Sequence, residues 1–241
     1  MKHLIFSTSL IFAFLFSPFA LSLPMEDCAE YMEYGLPSND GKRLCRTGYL
    51  LARNPEFKTP IWMIERHTKE RAFAKMPRWN KFRLDLGFEE GEMAELPDGK
   101  GSGCDRGYVA PSADFDWSGE VMDERVLLSN MIPQNGLSNK QIRDNLENHV
   151  RNWAAKRGEV IIYTGPVYGN DQAGKTIGKK AVDVPDKLYK VVYDPQRQEA
   201  IAFILPKEAI PTKDLPKYIV PISDIEYITG LDFLSILPRK E

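Results

Sequence analysis

The feature that most constrains this chain is a pair of apolar runs separated by a short polar break. Val184–Tyr193 and Ala200–Leu205 are rich in β-branched and aromatic residues, and Asp194-Pro195-Gln196-Arg197-Gln198 between them is turn chemistry. Two such runs across such a break predict an antiparallel hairpin. Glu159–Tyr168, which ends in a Gly-Pro turn, predicts a further strand, and Tyr49–Ala52 and Thr59–Glu65 predict two more near the N-terminus. The cover for this sheet is written upstream of it. Ser138 with Gln141 three residues later forms a capping box, and Ile142, Leu146, Val150 and Trp153 then recur at helical spacing. Val121–Leu128 predicts a second helix, whereas Gly87–Gly103, rich in glycine and without period, predicts a loop. The fold class is therefore α/β (α+β), a central mainly antiparallel sheet flanked by helices. At 241 residues and 43% hydrophobic content the chain can bury a sizeable core. No internal repeat divides it, so residues 23–241 are expected to form a single domain.

Residues 1–22 are expected to be a signal peptide. Lys2 and His3 precede the apolar run Leu4–Phe16, and Ala20-Leu21-Ser22 offers small residues for cleavage before Leu23. The alternative, a retained membrane anchor, is opposed by the shortness of the run and by Pro18. This reading places the mature chain in a secreted or periplasmic compartment, with no membrane association after signal removal. An oxidising compartment makes cysteines worth pairing. Cys28 and Cys45 enclose the turn-rich Gly35–Gly41 and are expected to form a disulfide, leaving Cys104 as a small buried core residue. The net charge of −2 excludes a protein-wide field for nucleic acid. A polyanion would need a local groove, for which Arg78, Lys81, Arg83, Arg106, Arg143 and Arg151 are the candidates, with acidic Glu89, Glu90, Glu92 and Glu95 facing away.

The stretch Asp105-Arg106-Gly107-Tyr108-Val109-Ala110-Pro111 has the look of an active-site loop. It resembles the signature of the DNA/RNA non-specific endonucleases, the endonuclease G-like ββα-metal nucleases, in which Asp-Arg-Gly-His is followed by an Ala-Pro pair. Tyr108 stands where that family places its general-base histidine. The likeness extends to Asn130-Met131-Ile132-Pro133-Gln134, which resembles the family's Asn-x-x-Pro-Gln element. It includes Asn139 five positions after Gln134, Glu147 eight positions further, and Arg151 four beyond that. The segment Arg78–Asp85 is similar to the one in which the family carries a substrate-contacting arginine, here Arg78. Taken from the residues alone, Asn139, Arg143, Glu147 and Arg151 at every fourth position would be a solvated salt-bridge ladder.

What the resemblance implies is a ββα-metal nuclease fold and a Mg²⁺-dependent (or Mn²⁺-dependent), sugar-non-specific endonuclease acting on DNA and RNA. Asn139 would be the protein's metal ligand, and Glu147, about 12 Å along the helix by its rise, would reach the ion through water. Arg106 and Arg151 would neutralise phosphate, Arg78 would bind substrate, and Tyr108 would have to supply the base. A tyrosine of ordinary pKa near 10 is a phenolate in only about one molecule in a thousand at pH 7. Two readings stay open: an active nuclease with Tyr108 as an unusual base, and a pseudo-nuclease that binds nucleic acid or a protein partner without cutting. Substitution of the base in an otherwise active enzyme is a third. Homodimers are frequent in such families, although the sequence shows no interface. His149 falls on the helix face away from Asn139, and His67 is an unassigned histidine beyond a strand. No nucleophile elbow or Cys-x-x-Cys zinc spacing offers another chemistry.

Overall fold

A computed structural model of the chain describes residues 22–77, 81–89, 91–136, 143–169 and 175–238. In chain order the helices are α1 (Ala29–Met32), α2 (Lys69–Phe73), α3 (Gly119–Glu124), α4 (Asn148–Arg157) and α5 (Ile222–Thr229). The strands are β1 (Lys42–Cys45), β2 (Leu50–Asn54), β3 (Thr59–Thr68), β4 (Asp105–Tyr108), β5 (Met131–Gln134) and β6 (Glu159–Val167). They continue with β7 (Thr176–Ile177), β8 (Val182–Asp183), β9 (Lys187–Asp194), β10 (Glu199–Pro206) and β11 (Ile219–Val220). Seven strands form one antiparallel sheet in the order β1-β2-β3-β6-β9-β10-β11. β4 and β5 pair separately as a two-stranded antiparallel ribbon.

The predicted hairpin forms as β9 and β10, with Glu199 opposite Asp194 and Pro206 opposite Lys187. Asp194 Oδ1 accepts from the amides of Gln196 (3.0 Å) and Arg197 (3.1 Å), so the turn residue fixes the turn from within. Both faces of the sheet are covered, which is why its central strands read as continuous apolar runs. Leu51, Met63, Val160, Ile162, Val192 and Phe203 pack beneath Leu146, Val150 and Ala154 of the α4 region and against the β4–β5 ribbon. The opposite face, with Trp62, Ile64, Ile161, Tyr163, Tyr189 and Val191, packs on Cys28, Tyr31, Ile225 and Phe233.

Two local expectations are corrected. The strand expected over Thr59–Glu65 does not stop there: β3 runs on to Thr68, and Arg66 within it pairs with Glu159 of the neighbouring strand (2.7 Å). Thr68 then caps α2 by accepting from the Arg71 amide. The helix expected over Val121–Leu128 stops at Glu124, whose carboxylate turns back to accept from the amides of Thr47 and Gly48 (both 2.9 Å). Beyond β11, Ile222–Thr229 is a helix, closed by Gly230 in the left-handed region (φ 72°). Among the described residues no helix is long and apolar enough to cross a membrane.

Cys28 and Cys45 are joined by a disulfide across a separation of 17 residues, and it anchors the segment carrying α1 to the edge strand β1. Replacing both cysteines with serine is expected to lower unfolding stability by about 3 kcal/mol, read from the urea midpoint at constant m-value. Cys104 is not the buried core residue expected. It is free and half-exposed, because it follows the left-handed turns at Gly101 and Gly103, which lift the chain off the core.

Candidate active site

Asp105–Tyr108 is a strand rather than the loop its composition suggested. Its hydrogen-bonding capacity is met by β5, a segment much later in the chain, with Arg106 opposite Pro133 and Tyr108 opposite Met131. Alternation along β4 sends Arg106 and Tyr108 to one face and Gly107 to the other. Gly107 is glycine for a steric reason: a Cβ there would lie 2.1 Å from Cδ of Gln134. Arg106 Nη2 donates to the Leu96 carbonyl (2.5 Å), and its guanidinium lies 5.4 Å from the ring centre of Phe82. The Tyr108 ring is half-buried and 6.1 Å from the same Phe82 ring.

The turn after β4 is held by Asn130. Its side-chain amide accepts from the Ala110 N–H (2.8 Å) and donates to the carbonyls of Ala110 and Arg125 (3.1 Å each), and its own carbonyl accepts from Val109. This gives the asparagine of the Asn-x-x-Pro-Gln element a physical role. It copies the strand-pairing pattern where β4 must turn toward Ser112–Phe115, a 3-10 helix.

The helix that follows carries Glu147 and Arg151. It is not the uninterrupted α-helix that capping and periodicity predicted, for Arg143–Glu147 is a π-helical turn leading into α4. The hydrogen bonds of a π turn run from residue i to i+5, so the helix widens just where Glu147 leads into α4. Glu147 is 8% exposed and Arg151 directs its guanidinium to Asp114 (2.7 Å) and Asn148 (2.6 Å). Arg151 thus ties α4 to the 3-10 helix after the signature, and its charge is balanced by a buried carboxylate before any phosphate arrives. Arg83 lies 3.5 Å from Asp123, and Lys81 is exposed. Asn139 and Arg78 lie outside the described residues, as does the side chain of Arg143.

Beneath α4 the sheet presents polar groups that sequence reasoning did not single out. Glu65, Thr164 and Lys190 share the face that α4 covers, and Lys190 Nζ donates to Thr164 Oγ1 (2.8 Å). Glu65 is 2% exposed, and neither of its carboxylate oxygens meets a hydrogen-bond partner among the described residues. Burial pushes its carboxyl well above the usual range, Asp114 and Glu147 add to the rise, and Lys190 and Arg151 oppose it. His67, two residues along β3, is buried as well. Desolvation lowers its imidazole below the ordinary value, so it is a neutral base, but one enclosed at 2% exposure and unable to meet a solvent-borne substrate. His149 is exposed, stacked on Trp153. The hints of this layer in the sequence were a glutamate and a lysine, each inside an apolar strand.

The Glu65 rise has a definite sign in stability. Below the ordinary carboxylate value, near pH 4, Glu65 is protonated folded or unfolded; as pH climbs through the raised folded value the unfolded chain ionises first and folding stability is lost. Glu65→Gln removes that ionisation while keeping the shape. Its urea midpoint relative to the parent is expected to rise as pH climbs above the ordinary carboxylate value, and a flat difference would show that Glu65 ionises normally in the fold.

Comparison with known proteins follows this geometry. The family described as DNA/RNA non-specific endonuclease matches residues 28–240. "Nuclease 1, mitochondrial" of Schizosaccharomyces pombe is 30% identical over 232 residues, covering 88% of this chain and 72% of that protein. "Endonuclease G, mitochondrial" of Homo sapiens is 32% identical over 227 residues, covering 87% and 75%. "Nuclease EXOG, mitochondrial" of Xenopus laevis is 32% identical over 224 residues, covering 87% of this chain and 63% of its own length. Among solved structures, a chain in the crystal structure of an EndoG/EndoGI complex superposes with a TM-score of 0.80 at 25% identity, covering 88% of this chain and 93% of that one. These relatives are mitochondrial, which overturns the secreted or periplasmic location expected from residues 1–22. A basic and apolar N-terminus marks an address, and composition alone does not say which membrane reads it.

Proposed function

The chain belongs to the DNA/RNA non-specific endonuclease family and is by class a nuclease, and on that premise we propose that it hydrolyses phosphodiester bonds of both DNA and RNA with Mg²⁺ (or Mn²⁺). The observation that supports this most is the convergence of two elements on one sheet face. β4 carries Arg106 and Tyr108, the α4 region carries Glu147 and Arg151, and the Arg151–Asp114 ion pair clamps them together.

Among the described residues no group of three or more His, Cys, Asp or Glu side chains is arranged to hold a metal ion. The donors this reading assigns are oxygens, the Asn139 amide and water, with the Glu147 carboxylate behind them, a set that suits a hard and largely hydrated divalent cation. Such an ion, when bound, stabilises the charge that builds on the phosphoryl and leaving oxygens. Tyr108 Oη, as phenolate, takes the proton of the attacking water. Arg106, anchored at Leu96, meets a phosphate oxygen, with Arg78 extending the contact along the strand. Arg151 holds the geometry of the loop through Asp114 and completes the positive lining. Contacts of this kind go to phosphate and carry little base readout. Residues 23–241 form the nuclease domain, preceded by a targeting segment, and mitochondria are the compartment. Assembly as a homodimer is part of the reading.

Digestion of plasmid DNA and of a long RNA with Mg²⁺ tests it, with and without chelator. Cleavage of both that chelator abolishes supports an active nuclease. Tight, salt-sensitive binding without cleavage would instead support the pseudo-nuclease, which the phenol in the place of an imidazole favours. A parent chain that neither binds nor cuts removes both readings.

A further inference from the structure

We infer that Phe82 is a positioning residue of this site, the ring that sets Arg106 and Tyr108 relative to one another; the inference rests on the nuclease reading for its effect on cleavage and on geometry for its effect on placement. Arg106 and Tyr108 stand two residues apart on the same face of β4, and Phe82 lies against both. Its ring centre is 6.1 Å from that of Tyr108, with planes tilted by 35°, and 5.4 Å from the Arg106 guanidinium carbon. A guanidinium over a ring at this separation is held by the ring's quadrupole, and a tilted aromatic pair has a preferred geometry. One benzyl group therefore constrains the cation that would meet phosphate and the phenol that would take the proton.

Phe82 is itself fixed. The adjacent Arg83 donates its amide to the Val126 carbonyl (3.2 Å) and accepts from the Leu128 amide (2.9 Å). Two residues further on, Asp85 accepts from Arg46, Ser129 and the Gly87 amide. The same 126–129 segment runs into β5, the partner of β4. The backbone beside Phe82, the 126–129 segment and β5 are thus bonded in one run, which fixes where Phe82 stands against β4. Phe82 carries no titratable or nucleophilic group, so it transfers no proton itself, and its effect on the charged and proton-accepting groups of the site passes through its two neighbours. Packing alone explains a hydrophobic residue here, but leucine would serve packing and would hold neither a guanidinium nor a phenol ring.

The test uses the full chain with Phe82→Leu, Phe82→Met and Phe82→Tyr, each checked by thermal unfolding. In single-turnover RNA cleavage at saturating protein with Mg²⁺, Phe82→Leu is expected to lose about tenfold or more, and Phe82→Tyr to stay within about threefold of the parent. In chelator, affinity for a fluorescent oligonucleotide is expected to fall about threefold in Phe82→Leu, and that loss to vanish when Arg106→Ala is already present. For a parent that cleaves, cleavage by Phe82→Leu equal to the parent's overturns the inference, and for any parent that binds, so does the same affinity loss in both backgrounds; Phe82→Met replaces Phe82→Leu in both assays should the latter be unfolded. A parent that neither binds nor cleaves nucleic acid sinks the nuclease reading but not this one. The ¹³Cζ resonance of Tyr108, assigned with Tyr108→Phe, then decides. Movement in the leucine or methionine variant with near-parent position in Phe82→Tyr upholds the placement role, and a resonance unmoved in every variant removes it.

Discussion

Tyr108→His is expected to raise Mg²⁺-dependent cleavage of plasmid DNA and RNA by about a hundredfold or more at pH 7. The argument is one of protonation state. A histidine of ordinary pKa near 6.5 is mostly neutral and basic at pH 7, whereas a phenol of ordinary pKa near 10 presents its basic form in about one molecule in a thousand. The phenolate is the stronger base once formed, which offsets part of that deficit and leaves the net gain below a thousandfold. The imidazole is smaller than the phenol and enters a position that is half-exposed and lined by the Phe82 ring, so no core group has to move. Single-turnover rates of parent and variant measure the gain. A variant that folds, binds nucleic acid as the parent does and cleaves no faster would place the proton transfer elsewhere.

The largest stability effect is expected at Asp85, where substitution by alanine should cost about 3–5 kcal/mol and lower the melting temperature by roughly 10 °C. Asp85 has a fully buried carboxylate, paired with Arg46, whose side chain is 1% exposed, and it also accepts from Ser129 and from the Gly87 amide (2.9 Å). Alanine takes away the one carboxylate bonded to that buried guanidinium and leaves it only the more distant charge of Glu124, which is already engaged by the amides of Thr47 and Gly48, and this is worse than never having buried the pair. For the same reason Asp85→Leu combined with Arg46→Met is expected to recover much of the loss, and a double variant as unstable as Asp85→Ala would refute the buried-charge account. Calorimetry on the single and double variants reads both. Because Asp85 also fastens the segment that carries Phe82, cleavage in Asp85→Ala should fall even at temperatures where the variant is folded.

Both expectations concern residues whose meaning was unevenly visible in the sequence. Tyr108 stood out because its neighbours Asp105, Arg106, Gly107, Ala110 and Pro111 follow a fixed linear order, and linear order survives without a structure. Asp85 was only the end of a basic and aromatic segment, and its partner Arg46 lies 39 positions away. Glu65 and Lys190 were hidden for a related reason: a charged residue inside an apolar run is indistinguishable from an exposed one until the opposite face of the sheet is known to be covered.

What the sequence determined by itself is the strands β2, β3, β6, β9 and β10, the β9–β10 hairpin, the core positions Leu146 and Val150, and the Cys28–Cys45 bridge. Each rests on short-range periodicity, turn chemistry or closure of a short loop. Only the tertiary structure decided that Asp105–Tyr108 is a strand, that Arg151 meets Asp114, and that one ring at Phe82 touches both signature side chains. Those depend on which distant segment supplies the hydrogen bonds and which side chains share a desolvated space, and both are properties of the assembled chain and of no local stretch.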